Sequence, residues 1–195
     1  MEYNLSKTIV LVGLMGAGKT AIGTIIAEHL GVDFVDSDEE ISRAANMSIP
    51  EIFDRDGENF FRLKETQIIG RLLDAKPHVL STGGGAFLSK ENREMISHNA
   101  VSVWLDADLE TLWDRVKEKK SRPLLLVHDP KTALKNLYIS RKPCLASVKF
   151  LTPNEVITPS KDWSLKGIYS AEPGINFISL LNLLLETFKD RVLFS

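Results

Sequence analysis

A chain of 195 residues with 44% apolar and 26% charged side chains is long enough to bury one substantial core and is not composed like a disordered segment. Its 24 basic and 26 acidic side chains leave a net charge of -2, so no broad cationic surface for nucleic acid or anionic lipid is expected, and any basic site must be a local cluster. The single Cys144 excludes an internal disulfide framework, the polar start MEYNLSK carries no apolar signal core, and no apolar run reaches the roughly 18–20 residues of a spanning helix, which together predict a cytoplasmic protein.

In chain order, TIVLVG (8–13) is the first predicted strand, followed by the amphipathic helix AIGTIIAEHLG ending at Gly31. VDFVD (32–36) is the second strand, and a long helical pattern runs from about Glu58 to Leu73. HVLST (78–82) and VSVWLD (101–106) are further strands, and LETLWDRVKEK, after Asp108, repeats apolar positions at helical spacing. KEKKSRPLLLVHDP (117–130) is basic, then apolar, then broken by proline, and reads as a plain loop or a lid. From Phe150 to Gly174 the pattern is irregular, with EVIT as a short strand, and LLNLLLETF near the end reads as one face of a packed helix. Strands alternating with helices, and apolar on both faces, predict an α/β domain with a mainly parallel sheet covered on both sides. No composition break divides residues 1–195 into two domains.

GLMGAGKT (Gly13 to Thr20) satisfies G-x-x-x-x-G-K-[ST] between a predicted strand and a predicted helix, the context this motif needs to bind a polyphosphate. Backbone N–H groups from Gly16, Ala17 and Gly18 through Ala21 would face the phosphates at the positive end of a helix dipole. Lys19 would meet the β- and γ-phosphates, and Thr20 would offer its hydroxyl to Mg²⁺. The loop locates a phosphate and says nothing of the acceptor.

FVDSDEEI (34–41) places Asp36 and Asp38 at the end of the second strand, on the edge where parallel sheets bind ligands. Period-two alternation would turn both carboxylates to one side, so that one supports magnesium and the other orients or deprotonates an attacking hydroxyl. The competing reading is an acidic pair capping a helix that begins at Glu39 or Glu40. Beside a phosphate loop, the functional reading is preferred. Arg62 in GENFFRLKE is either a packed helical arginine or a bidentate clamp for a carboxylate. Three successive glycines, Gly83, Gly84 and Gly85, are costly to order and imply that something approaches the backbone there. Arg122 and Arg141 are surface residues or the rest of a cationic set, Arg122 on a segment able to close over phosphates. Arg115 is placed to stack on a base. Asp106, in VSVWLD, rivals Asp36 for the magnesium and is ranked below it. Trp104 and Trp113 are assigned to the core, Cys144 to an inert thiol, and His29, His78, His98 and His128 show no metal-ligand spacing.

The run GLMGAGKT, FVDSDEEI, IFDRDGENFFR, STGGGAF, SRPLL and an R-x-P at 141 resembles the shikimate kinases in order and spacing from about Thr8 to Pro143. The resemblance implies a three-layer α/β/α fold of the nucleoside-monophosphate-kinase type with a five-stranded parallel sheet. It also implies transfer of the ATP γ-phosphoryl to the 3-hydroxyl of shikimate with Mg²⁺ as cofactor. By position, Asp36 and Thr20 would serve the metal, and Asp38 would hold and deprotonate the acceptor. Arg62, Arg141 and Gly83–Gly85 would bind shikimate within a helical segment at about 37–65 and its surroundings. Lys19 and a lid Arg122 would stabilise the transferring group, and Arg115 would lie along adenine. ATP and shikimate are then the expected partners of a monomer. The chain departs from the family pattern at Leu145, where a tyrosine is common, and across 149–174, where an adenine-contacting loop is expected. The alternatives weighed are a non-catalytic nucleotide-binding switch of the same fold and a sugar-acid kinase such as a gluconate kinase.

Overall fold

The run Thr8–Val12 has β-branched or apolar side chains at every position and no polar face, so it is stable only where both sides are covered. In the computed structural model, which describes residues 4–119, 122–146 and 193–194, it forms the fully buried β2 (Thr8–Val12). Parallel partners are β4 (Val79–Ser81) on one side and β5 (Ala100–Trp104) on the other, with β3 (Phe34–Asp36) outside β4. The order β3-β4-β2-β5 is set by register pairs such as Val10 with Leu80 and Ser102, and Val35 with Leu80. Four parallel strands are therefore seen among the described residues where five were expected, and the EVIT segment lies outside them, as do the adenine-loop region and LLNLLLETF. A separate two-residue ladder pairs β1 (Asn4–Leu5) with β6 (Leu193–Phe194) antiparallel.

Among the described residues six α-helices accompany the sheet: α1 (Lys19–Leu30), α2 (Ser37–Ala45), α3 (Ile49–Leu73), α4 (Lys90–Asn99), α5 (Leu109–Val116) and α6 (Pro130–Leu145). The predicted Glu58–Leu73 helix is the second half of α3. Its first half begins at Ser48, whose hydroxyl accepts from the Glu51 N–H while the Glu51 carboxylate accepts from the Ser48 N–H. The two halves meet at Gly57, whose φ of 82° is outside the helical region and is tolerated because no Cβ is present. That break separates the Ile49–Asp56 arm, which carries Ile49 and Phe53, from the long second half. α1 packs on the sheet through Gly23, where a Cβ would lie 2.5 Å from the Phe34 ring.

Trp104 is buried and Trp113 packs on the core, as expected, and Leu145 is buried with only 2% exposure. An apolar side chain at 145 thus fills interior space beneath α6. Among the described residues no helix is long and apolar enough to cross a membrane.

Candidate active site

Every strand of the parallel sheet ends on the same edge, and the loops leaving β2, β3 and β4 converge there. Gly13 follows β2 with a φ of 148°, and a Cβ at this position would sit 2.6 Å from the Leu105 carbonyl oxygen, so the loop can pack on β5 only with glycine. The loop then turns into α1, where Lys19 is buried and donates from Nζ to the Gly13 and Leu14 carbonyls at 2.8 and 3.0 Å. Burial, then the charge of Arg122, lowers the Lys19 pKa to about 8, against the pull of Asp38 and Asp36. A polyphosphate would reverse that balance by supplying the missing negative charge.

Gly16, Gly18, Lys19, Thr20 and Ala21 line a cavity of about 630 Å³ together with Arg115 and Arg122. Ala17 is different: its side chain is buried and its N–H is spent inside the loop on the Leu14 carbonyl at 3.1 Å. Arg115 reaches back from α5 to donate to the Gly16 carbonyl at 3.0 Å, so it ties the phosphate loop to α5 as well as bordering the cavity. Its pKa is lowered by burial.

Asp36 and Asp38 do face the same space, although not for the reason strand alternation suggests. β3 stops at Asp36 and α2 starts at Ser37, so Asp38 lies in the first helical turn. Asp36 is the helix cap, its Oδ1 accepting the Asp38 N–H at 2.9 Å, while its Oδ2 accepts from the Thr20 hydroxyl at 3.4 Å. The cap and the site are one arrangement: capping fixes Asp36 so that its second oxygen meets the phosphate-loop threonine. This hydroxyl–carboxylate pair is a fitting donor set for a hard divalent cation. Asp106, the rival, is ion-paired instead with Lys142 at 3.1 Å. Asp38 has its pKa raised by burial and by Asp36, with Arg122, Lys19 and Arg62 opposing.

A second cavity, about 950 Å³, is lined by Asp38, Arg62, Arg122, Arg141 and the three glycines. Ile49, Phe53 and Phe61 form its apolar wall, the two phenylalanine rings 4.8 Å apart. Arg62 donates from Nε and Nη2 to Glu58 Oε1 at 3.1 and 2.8 Å, and from Nη1 to Glu65 Oε2 at 2.8 Å. Among the described residues three of its five N–H groups are used, which leaves donor capacity on the terminal nitrogens for a planar carboxylate. Burial alone would lower the Arg62 pKa, and the Glu65 and Glu58 carboxylates outweigh it to raise it. Glu65 is fully buried, and desolvation raises its pKa despite Arg62. Arg141 is 4% exposed on α6, and its Nε has no hydrogen-bond partner among the described residues. Burial, then repulsion by Arg62, lowers its pKa to about 10.

Each glycine of the triplet serves a different neighbour. A Cβ on Gly83 would lie 2.5 Å from Glu65 Oε1, one on Gly84 would lie 3.1 Å from the Met15 nitrogen, and one on Gly85 would lie 2.6 Å from Arg62 Nη2. What approaches this backbone includes the protein's own charged groups. Glu58 and Glu65 are the residues missed in sequence, although their spacing around Arg62, E-x-x-x-R-x-x-E, is the i±4 and i±3 signature of a helical ion pair.

The two cavities share Met15, Thr20, Asp36, Asp38, Gly84 and Arg122. Arg122 stands at the junction with Nη1 3.7 Å from Asp38 Oδ2, just before a single 3-10 turn at Pro123–Leu125. Residues 120 and 121 of the expected lid fall outside the described residues. The family model described as shikimate kinase matches residues 15–168 of this chain. The chain belongs to the shikimate kinase family. It is 62% identical over 139 residues to a shikimate kinase of Ruegeria pomeroyi, covering 71% of each chain, and 58% identical over 142 residues to one of Cereibacter sphaeroides, covering 73% and 71%. A solved shikimate kinase from Acinetobacter baumannii in complex with shikimate superposes with a TM-score of 0.78 at 34% identity, covering 95% of this chain and 94% of that one. A gluconokinase from Sinorhizobium meliloti, at TM-score 0.53 and 18% identity, shares the fold.

Proposed function

We propose that this protein transfers the γ-phosphoryl group of ATP to the 3-hydroxyl of shikimate, giving shikimate 3-phosphate and ADP. The observation that carries the reading is the meeting of the two cavities at Asp38 and Arg122. ATP would occupy the smaller cavity, its phosphates over Gly16 and residues 18–21 and its base against Arg115. Shikimate would occupy the larger one, with its carboxylate on the free end of Arg62 and on Arg141. Its ring would lie against Phe53 and Phe61, and its hydroxyls would face Asp38 and the glycine triplet. Asp38 takes the proton from the 3-hydroxyl as its oxygen bonds to the γ-phosphorus and the bond to the ADP oxygen breaks. Lys19 and Arg122 hold the charge on the transferring oxygens. Mg²⁺, for which Thr20 and Asp36 are the suited donors, neutralises phosphate charge when bound.

The test is ADP release from ATP measured with and without shikimate, and with gluconate in its place. Turnover should require shikimate. Equal turnover without it, or turnover that gluconate supports instead, would overturn the reading. Arg62→Ala should raise the shikimate KM about 10- to 100-fold, the value of a charge-assisted pair, while ATP binding stays within twofold.

A further inference from the structure

The glycine triplet has no side chains to hold it, yet it faces Asp38, Glu65, Arg62 and Arg141, which all sit on other elements. Where it is held therefore fixes the shape of the acceptor cavity. On the strand side, Thr82 is tied to the Leu11 carbonyl through its N–H and its hydroxyl, at 3.2 and 3.1 Å. The Gly83 N–H donates to the buried Ser37 hydroxyl at 3.1 Å.

On the far side the backbone turns through Ala86–Leu88, and its carbonyls are gripped by α4. Asn92 Nδ2 donates to the Ala86 carbonyl at 2.9 Å, and Arg93 Nη1 donates to the Phe87 and Leu88 carbonyls, each at 2.8 Å. Three successive carbonyls are thus held by two adjacent side chains. Asn92 is fully buried, and its Oδ1 has no hydrogen-bond partner among the described residues. An amide buried with most of its capacity unused is a poor choice for packing alone, where an apolar side chain of the same shape would do better. Its use here is the donated bond. Arg93 likewise spends one nitrogen on two backbone oxygens.

We propose that Asn92 and Arg93 are positioning residues for the acceptor: from α4 they fix the exit of the Gly83–Gly85 turn and so hold the floor of the shikimate cavity in register with Arg62 and Asp38. They touch neither substrate, and neither lines the two cavities. The inference rests on the acceptor reading given above. Most of the triplet borders only the larger cavity, Gly84 being shared, so the effect should fall on the acceptor and not on the nucleotide.

The experiment is steady-state kinetics of Asn92→Ala, Arg93→Ala and Arg93→Lys, with thermal midpoints and amide hydrogen exchange followed in the same proteins. Wild-type turnover with shikimate is measured first and decides the acceptor reading by itself; the variant-to-wild-type ratios decide the clamp. Loss of one such bond should raise the shikimate KM about fivefold, with kcat and the ATP KM within twofold. Arg93→Lys should recover much of the Arg93→Ala loss. Exchange at the amides of 84–88 should accelerate while that of the phosphate loop does not. If Asn92→Ala does not fold, the partly exposed Arg93 pair carries the same comparison. A fall in thermal midpoint with the shikimate KM unchanged, or parallel changes in both KM values, would overturn the proposal.

Discussion

Gly83→Ala puts one methyl group into the acceptor site and its consequence follows from distances. The backbone at Gly83 is not in the left-handed region, so alanine meets no conformational penalty there and the whole effect is contact. The new Cβ would lie 2.5 Å from Glu65 Oε1 and 2.8 Å from Asp38 Oδ1, where ordinary contact begins at 3.4 Å. Glu65 must then retreat by about 0.9 Å and Asp38 by about 0.6 Å, or the loop must move by as much. Neither carboxylate moves freely: Glu65 is fully buried and bonded to Arg62, and Asp38 sits in the first turn of a helix capped by Asp36. Overpacking of this kind costs about 1–3 kcal/mol of stability. Displacing a reacting group on the ångström scale costs on the order of 10²-fold in rate. We expect kcat to fall roughly 10- to 100-fold in the coupled ADP assay, and the shikimate KM to rise as Arg62 follows Glu65. ATP binding, read by calorimetry, should stay within twofold, because Gly83 does not border the nucleotide cavity. A folded Gly83→Ala protein with kcat/KM for shikimate within twofold of wild type would refute the reasoning, and with it the assignment of Asp38 to the reacting hydroxyl.

Three further outcomes are expected. Arg115→Ala removes the bond to the Gly16 carbonyl and one wall of the nucleotide cavity, so the ATP KM should rise about 5- to 10-fold with the shikimate KM unchanged. Glu65 has a raised folded pKa, so the folded state holds its proton more tightly than the unfolded state; stability from this group is fully present below the ordinary carboxylate range and is lost as pH rises through the folded value. Denaturant titrations of wild type and Glu65→Gln at acid and neutral pH should therefore show wild type losing ground to the variant as pH rises, and a difference that is flat with pH would contradict this. Gly23→Ala drives a methyl group into Phe34 and Leu11 beneath α1, at 2.5 and 2.9 Å, and should cost about 1–3 kcal/mol. That corresponds to a fall of roughly 2–12 °C in Tm, with kcat at low temperature unaffected.

The parts of the fold that sequence displays are those in which one residue type has one physical use. TIVLVG reads as a strand covered on both faces, and GLMGAGKT between strand and helix reads as an anion loop, so β2, the loop and α1 were readable. The Asp36–Asp38 pair was readable as a site but not as geometry. A strand-to-helix change at Ser37 brings both carboxylates to one cavity as surely as period-two alternation would, and composition does not separate the two. The first half of α3 went unread although Ser48 and Glu51 spell its cap, because a single turn of apolar residues precedes Gly57 and breaks the period. Glu58 and Glu65 went unread for a different cause. On a helix carrying so many charges an acidic residue is ordinarily solvated, and only burial shows that Glu65 is not. Arg141 likewise reads as surface until α6 is seen to bury it.

The ion pairs within the site bear on how it would take up its ligands. Lys19 is satisfied by two carbonyls of its own loop, Arg122 stands against Asp38, and Arg62 is held by Glu58 and Glu65. In the proposed mechanism these cations meet ligand by exchanging or sharing partners, and a bond exchanged contributes far less to binding than a bond made anew. Arg62 escapes part of that discount because two of its five N–H groups make no bond among the described residues. Arg122 does not, since a γ-phosphate must draw it away from Asp38. Withdrawal of that guanidinium removes a positive charge that favours the Asp38 carboxylate in its ionised, weakly basic form. In the proposed mechanism, a γ-phosphate that draws Arg122 away would therefore make Asp38 a stronger proton acceptor.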